Sequence, residues 1–290
     1  MTRGATRSRR NARKSGWEKK KAYRKAARAR AMTTSRFRDV VSAGDMQEAY
    51  ALLRHFDRAC RRIGVDYAMD GGMLVGSMLH HGRIPWDDDF DAYVAASDER
   101  RLVRALSRDG YVVASVGPYS KLWSGRTPKV DNGRPWNWPF LDIGWLAQNR
   151  THVWERRSVE PRYRGHVYPR EWVFPSVRRP YGPLVLAAPR AAARLLAYRF
   201  GPEWARWCVV NHWDHRRERW RYAGKEENTR LPCAEVADLD LVQQRGEDSG
   251  GRSVEWVANA RRGTRGPAVH FLAGSVVQLR AGGEVGSETR

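Results

Sequence analysis

Acidic residues are the scarce charge in this chain: 32 Asp and Glu stand against 53 Lys and Arg, for a formal net charge of +21. Cysteine is scarcer, with Cys60, Cys208 and Cys233 in 290 residues. Three cysteines make no disulfide framework and suit a reducing compartment. No apolar run is long enough for a signal peptide or a membrane span, so the expectation is a soluble, cytoplasmic protein with no transmembrane segment. What is plentiful is core material, since 41% of residues are hydrophobic and thirteen are tryptophan.

The positive charge is uneven. Met1 to Arg38 holds fifteen Lys or Arg and one Glu. That composition predicts a disordered basic tail (1–38), suited to an anionic partner such as nucleic acid or a lipid surface, or to organelle or nuclear targeting. The spacing then predicts a helix over Asp45 to Ile63, capped by Asp45 with Glu48 and ended by Gly64. A second helix runs from Ser97 to Arg108, and Tyr111 to Val116 reads as a strand. The segment Gly117 to Pro139 reads as a long loop. Its Lys121, Arg126, Lys129 and Arg134 suit phosphates, and its Trp123, Trp136 or Trp138 suit stacking on a base.

The chain is organised around Asp70 to Val94. Val65 to Met69 is a candidate strand, Gly71-Gly72 a turn where backbone can approach a ligand, and Met73 to His80 a short helix. Asp88 to Val94 reads as a second strand. Alternation then puts Asp89 and Asp91 on one face, about 7 Å apart. Two such carboxylates repel unless a cation sits between them, and Mg²⁺ or Mn²⁺ prefer oxygen ligands. Farther on, Phe140 to Leu146 is an apolar strand holding one charge, Asp142. With no Lys or Arg between Arg134 and Arg150, the expected partner is a metal ion shared with Asp89 and Asp91. Cys208, His212 and His215 have zinc-like helical spacing but are one ligand short.

DGGMLVGSMLHHGRIPWDDDFDAYV resembles the signature of the LicD family, bacterial phosphocholine transferases and fukutin-type ribitol-phosphate transferases. Gly71-Gly72, Leu74, Gly76 and Ile84 to Asp91 fit it, while Met73 and Leu79 depart. A second block fits as well: Trp172 to Pro175 and Pro180 to Pro189 resemble the family's strand pair, and Ala191 to Trp204 its closing helix. The resemblance implies an α+β, nucleotidyltransferase-like fold, a mixed sheet flanked by helices. It would occupy 39–215, leaving 216–290 as an extension of unknown role apart from a hairpin near Ala268 to Leu279.

The family shows an aspartate in a setting like that of Asp142, which implies a metal site of Asp89, Asp91 and Asp142. Asp142 would bridge the ions or act as base, and Gly71 and Gly72 would admit donor phosphates to the backbone N–H groups. Lys121 and Arg126 would assist. The implied reaction moves a phospho-alcohol from a CDP-activated donor, CDP-choline or CDP-ribitol, to a sugar hydroxyl of a glycan. Two other readings of the residues stand beside it. One is a nucleotidyltransferase moving an NMP onto RNA, a small molecule or a protein; the other is a nucleic-acid-binding protein on the same fold.

Overall fold

A computed structural model of the chain describes residues 36–117, 119–156, 166–211, 213–221 and 229–236, with short strands at 244–247, 253–256, 269–272 and 275–278. The basic stretch up to residue 35 and His212 lie outside the described residues. The chain divides into two units, Met1–Arg38 and Asp39–Arg290. Every element below belongs to the second.

Helix α1 (Ala43–Ile63) is the longest helix described. Its cap is Ser42 and not Asp45: the Ser42 hydroxyl accepts from the Asp45 N–H and donates to the Asp45 carboxylate. The capping pair therefore sits three residues upstream of the expected one, with Asp45 as its acidic member. Gly64 closes the helix in the left-handed conformation, at φ +64°. Ala49, Leu53, Phe56 and Cys60 bury one face of α1 in the main core.

Strands β1 (Tyr67–Met69), β2 (Asp91–Ala95), β3 (Tyr111–Val116), β4 (Tyr119–Ser124) and β5 (Phe140–Gln148) make one mixed sheet in the order β1-β2-β5-β4-β3. The pair β2 and β5 is parallel, and the other neighbours are antiparallel. Strands β6 (His152–Glu155) and β7 (Val167–Pro169) extend the sheet from β5. Helices α2 (Gly71–Leu79) and α3 (Glu99–Arg108) complete the flanking layer with α1. A helical turn α4 (Arg170–Val173), the hairpin β8 (Val177–Tyr181) to β9 (Leu184–Ala188) and helix α5 (Ala192–Phe200) follow.

Beyond α5, β10 (Trp207–Val210) pairs with β13 (Thr229–Pro232), and β11 (Trp213–Asp214) pairs with β12 (Arg219–Trp220). The helical turn α6 is Cys233–Val236. The hairpin expected near Ala268 to Leu279 is present as Val269–Leu272 paired with Ser275–Gln278.

Three expectations change. The segment Gly117 to Pro139 is not all loop, because it opens with β4, an inner strand. Ser120 and Lys121 are both buried there, so its polar letters hide a core strand. Trp172 to Pro175 is the end of a helical turn, not a strand. Cys208 and Cys233 form a disulfide that ties β10 to the end of β13, where the sequence suggested no disulfide framework. No helix among the described residues is long and apolar enough to cross a membrane.

Candidate active site

The site begins where β1 turns into α2. Gly71 has φ +54°, a conformation that side-chain-bearing residues rarely adopt. A Cβ there would lie 2.7 Å from Asp91 Oδ2, and a Cβ on Gly72 would run into Asp87 Oδ2. The room these glycines leave is taken by the protein's own carboxylates, where the sequence suggested donor phosphates. The start of α2 suits such anions, because its first N–H groups carry a partial positive charge.

Strand β2 starts at Asp91, later than expected, yet the alternation of the aspartates survives in the extended segment before it. Asp88 and Phe90 are buried on one side; Asp87, Asp89 and Asp91 are more accessible. Register then makes a row across three strands: Asp91 pairs with Asp142 on β5, and Asp142 pairs with Lys121 on β4. Partners in register point to the same face. Lys121 Nζ donates to both Asp142 oxygens at 2.9 Å and lies 3.5 Å from the centre of the Phe140 ring.

So the partner that Asp142 needs is Lys121, one strand over, and not a metal ion alone. Burial raises the Asp142 carboxyl above its ordinary value, and Lys121 works against that rise. Asp91 has no ion-paired cation among the described residues, and only the more distant Arg199 works against its rise. Burial, then the charges of Asp89, Asp142 and Asp70, push its carboxyl well above the usual range. Asp87 is pushed up the same way, by burial and then by Asp89.

Several residues of the site carried no signal in the local sequence. His215 holds Asp88 through Nδ1 at 2.8 Å, while its Nε2 lies 3.4 Å from Asp89 Oδ2. Burial disfavours its charge, but Asp89 and Asp88 outweigh that and raise its pKa to about 9. Arg221 pairs with Asp88 at 2.5 Å. Burial alone would raise Asp88; His215 and Arg221 hold it below the usual range. From α5, Arg199 pairs with Asp70. Trp220 and Arg221 stand at the site although they lie beyond position 215. The zinc alternative does not form, since Cys208 is in the disulfide and His215 is on Asp88.

These side chains line a cavity of about 580 Å³ that contains Gly71, Asp89, Asp91, Lys121 and Asp142 together. Of the basic and aromatic candidates between Gly117 and Pro139, Arg134 and Trp136 also reach it. Arg126 is exposed after β4 and does not line it, nor does Gly72. Trp123 and Trp138 are buried, together with Trp136, in an apolar cluster separate from the main core. Trp213 and Trp220, packed edge to face at 5.3 Å, add aromatic walls that the sequence did not point to.

The donor set suits a hard divalent cation at Asp89 and Asp91. Among the described residues no three His, Cys, Asp or Glu side chains are gathered closely enough to enclose an ion. Magnesium does not need such an enclosure, since it commonly takes one or two carboxylates and completes its shell with water and substrate phosphates. Asp91, half-buried beside like charges, is the group such a cation would relieve.

Residues 64–191 match the family model described as the LicD/FKTN/FKRP nucleotidyltransferase domain. The lipopolysaccharide cholinephosphotransferase LicD of Haemophilus influenzae is 40% identical over 103 residues, which cover 32% of this chain and 39% of that protein. The ribitol 5-phosphate transferase FKRP of Homo sapiens is 28% identical over 146 residues, 48% of this chain and 28% of that one. The chain thus spans well under half the length of either relative. A solved lincosamide antibiotic adenylyltransferase with lincomycin bound superposes with a TM-score of 0.33 at 17% identity, covering 54% of this chain and 85% of that one.

Proposed function

We propose, from the match of residues 64–191 to the LicD/FKTN/FKRP nucleotidyltransferase domain model, that the protein transfers a phospho-alcohol, phosphocholine or ribitol phosphate, from a CDP-activated donor to a sugar hydroxyl of a glycan. The observation that carries this is Asp91. Among the described residues it has no ion-paired basic side chain, yet it lies half-buried beside Asp89 and Asp142 on the wall of a cavity. A divalent cation, magnesium or manganese, held by Asp89 and Asp91 would offset the charge of the donor diphosphate as the bond to CMP breaks.

The remaining work falls to the chain's own residues. Trp213 and Trp220 offer faces for the cytosine. Arg134 and Lys121 face the phosphate oxygens. Asp142, with both oxygens on Lys121, holds that ammonium at the wall, in place of the bridging or base role suggested by the sequence. His215 stays cationic beside Asp89 and limits the repulsion among the aspartates.

The test is incubation with Mg²⁺ or Mn²⁺ and a panel of NTPs and CDP-alcohols, with a glycan acceptor. CMP release that depends on a CDP-alcohol supports the proposal. Pyrophosphate release from an NTP would replace it with nucleotidyl transfer.

A further inference from the structure

Residues 84–90 carry Asp87, Asp88 and Asp89 in neither a helix nor a strand. No ladder takes up their backbone groups, so each buried carbonyl needs a donor from elsewhere. Arginines supply most of them. Arg83 Nη1 lies 2.9 Å from the Ile84 carbonyl oxygen, 2.5 Å from that of Pro85 and 2.7 Å from that of Asp87. Arg221 reaches the remaining one, that of Trp86, at 3.4 Å. Four consecutive carbonyls thus accept from two guanidinium groups.

Arg83 is 8% exposed, and its Nε has no hydrogen-bond partner, so its bonds run through the two terminal nitrogens. The second of these, Nη2, donates to Asp39 Oδ1 at 2.6 Å, in the segment before α1. The same segment is joined to the turn by the Val40 N–H, which donates to the Pro85 carbonyl at 3.1 Å. Among the described residues Arg83 forms no ion pair with Asp87, Asp89 or Asp91. Asp39 and the carbonyl dipoles balance its buried charge, which leaves those three carboxylates to other cations. A planar fork can meet carbonyls on one side and a carboxylate on the other, as a lysine ammonium cannot.

The hold reaches the carboxylates through a peptide plane. In a trans peptide the C=O and the N–H that follows it point opposite ways. With the Asp87 carbonyl on Arg83, the Asp88 N–H points to the other side and donates to Asp87 Oδ1 at 3.2 Å. That plane also sets the direction in which the chain continues to Asp89, on the wall of the cavity.

We propose that Arg83 is a positioning residue: it fixes the backbone of residues 84–87 and, through it, the placing of Asp87 and Asp89. Its consequence for cation binding rests on the phosphotransferase reading; the hold on the backbone does not.

The test follows hydrogen exchange peptide by peptide on the full metal-free chain, and titrates Mn²⁺ by calorimetry. Arg83→Met keeps the stem and removes the donors. Exchange should quicken in residues 84–90 and stay as in the wild type in β5. Mn²⁺ affinity should fall about tenfold or more, the scale for losing a group that orients a metal ligand. Arg83→Lys, which returns a cationic donor without the bridge to Asp39, should recover part of both. Exchange unchanged in residues 84–90, or raised equally in β5, overturns the proposal. Should Arg83→Met fail to fold, Asp39→Ala decides, since it keeps the guanidinium but frees its outer end. It should quicken exchange in residues 84–90, and unchanged exchange there overturns the proposal equally. A wild type that binds no Mn²⁺ removes the cation reading, and exchange alone then decides the hold. Mn²⁺ binding that needs Arg83, with no CMP released from any donor, upholds the positioning role and removes the transfer reading.

Discussion

Asp142 has neighbours of opposite charge on its two sides, Asp91 on β2 and Lys121 on β4. That pairing turns an isolated acid in an apolar strand into part of a charged row. Removing Lys121's ammonium leaves the buried Asp142 carboxylate unpaired beside the half-buried Asp91. Lys121→Met should cost about 3 kcal/mol of stability, the scale for breaking a buried pair, as read by urea unfolding of the metal-free protein. Mn²⁺ should raise the melting temperature of this variant more than that of the wild type. A variant as stable as the wild type would mean that Asp142 takes up a proton at little cost.

Asp91→Asn acts in the opposite sense. It removes one of several mutually repelling charges, so the metal-free protein should melt at the same temperature or higher. Transfer should fall by at least 10³-fold, because the variant loses a cation ligand. A turnover assay with saturating Mg²⁺ checks this, and an active variant would remove Asp91 from the mechanism. Asp89, Asp91 and Asp142 were legible in the sequence because each breaks its local pattern. Lys121's partnership was not, because cross-strand register depends on pairing that no local window contains. His215, Arg221 and Arg199 are farther still along the chain from the aspartates they hold.

At the scale of the element, α2 is built to let carboxylates approach its start. Gly72→Ala places a methyl group against Asp87. The substitution should leave most helical content in place but displace Asp87 and Asp89, weakening Mn²⁺ binding by about tenfold, or about 1.4 kcal/mol. Calorimetric titration of Mn²⁺ reads it, and unchanged affinity would show that α2 and the acidic segment adjust independently. The glycine pair was visible in the sequence, but its use was not, since GG looks the same whether it admits a ligand or a side chain.

The other end of α2 carries a titration. Burial, with help from His81 and Arg83, lowers the pKa of His80 to about 4. An unfolded histidine titrates near 6.5. Between those values the unfolded chain binds the extra proton, so the contribution of His80 to stability is constant above about pH 6.5 and declines toward pH 4. The loss is of order 3 kcal/mol over that window. His80→Gln should be less sensitive to acid than the wild type across it, as shown by denaturation midpoints at pH 7 and 4.5. Equal slopes in the two proteins would contradict the assignment.

On the scale of the whole molecule, the residues after α5 bring distant parts of the chain to the aspartates. Strand β10 ends just before Asn211, Trp213 and His215, which line the cavity of the aspartates. What fixes β10 is its pairing with β13 and the Cys208–Cys233 disulfide. The sequence suggested two unrelated thiols, because a bond across 25 residues has no spacing signature of its own. Closing a loop of that length restricts the unfolded chain by about 3.5 kcal/mol on the loop-entropy account. Reduction, or the double substitution Cys208→Ser with Cys233→Ser, should therefore lower stability by up to that amount. It should also cost function before it costs the fold. The main core of α1, β1, β2 and β5 does not depend on the bridge, whereas His215 reaches Asp88 from the strap that the bridge anchors. At a temperature where the reduced protein keeps its helical signal, turnover should drop. If activity and folding are lost together, or neither changes, the strap is held by its strands and the disulfide is incidental to the site.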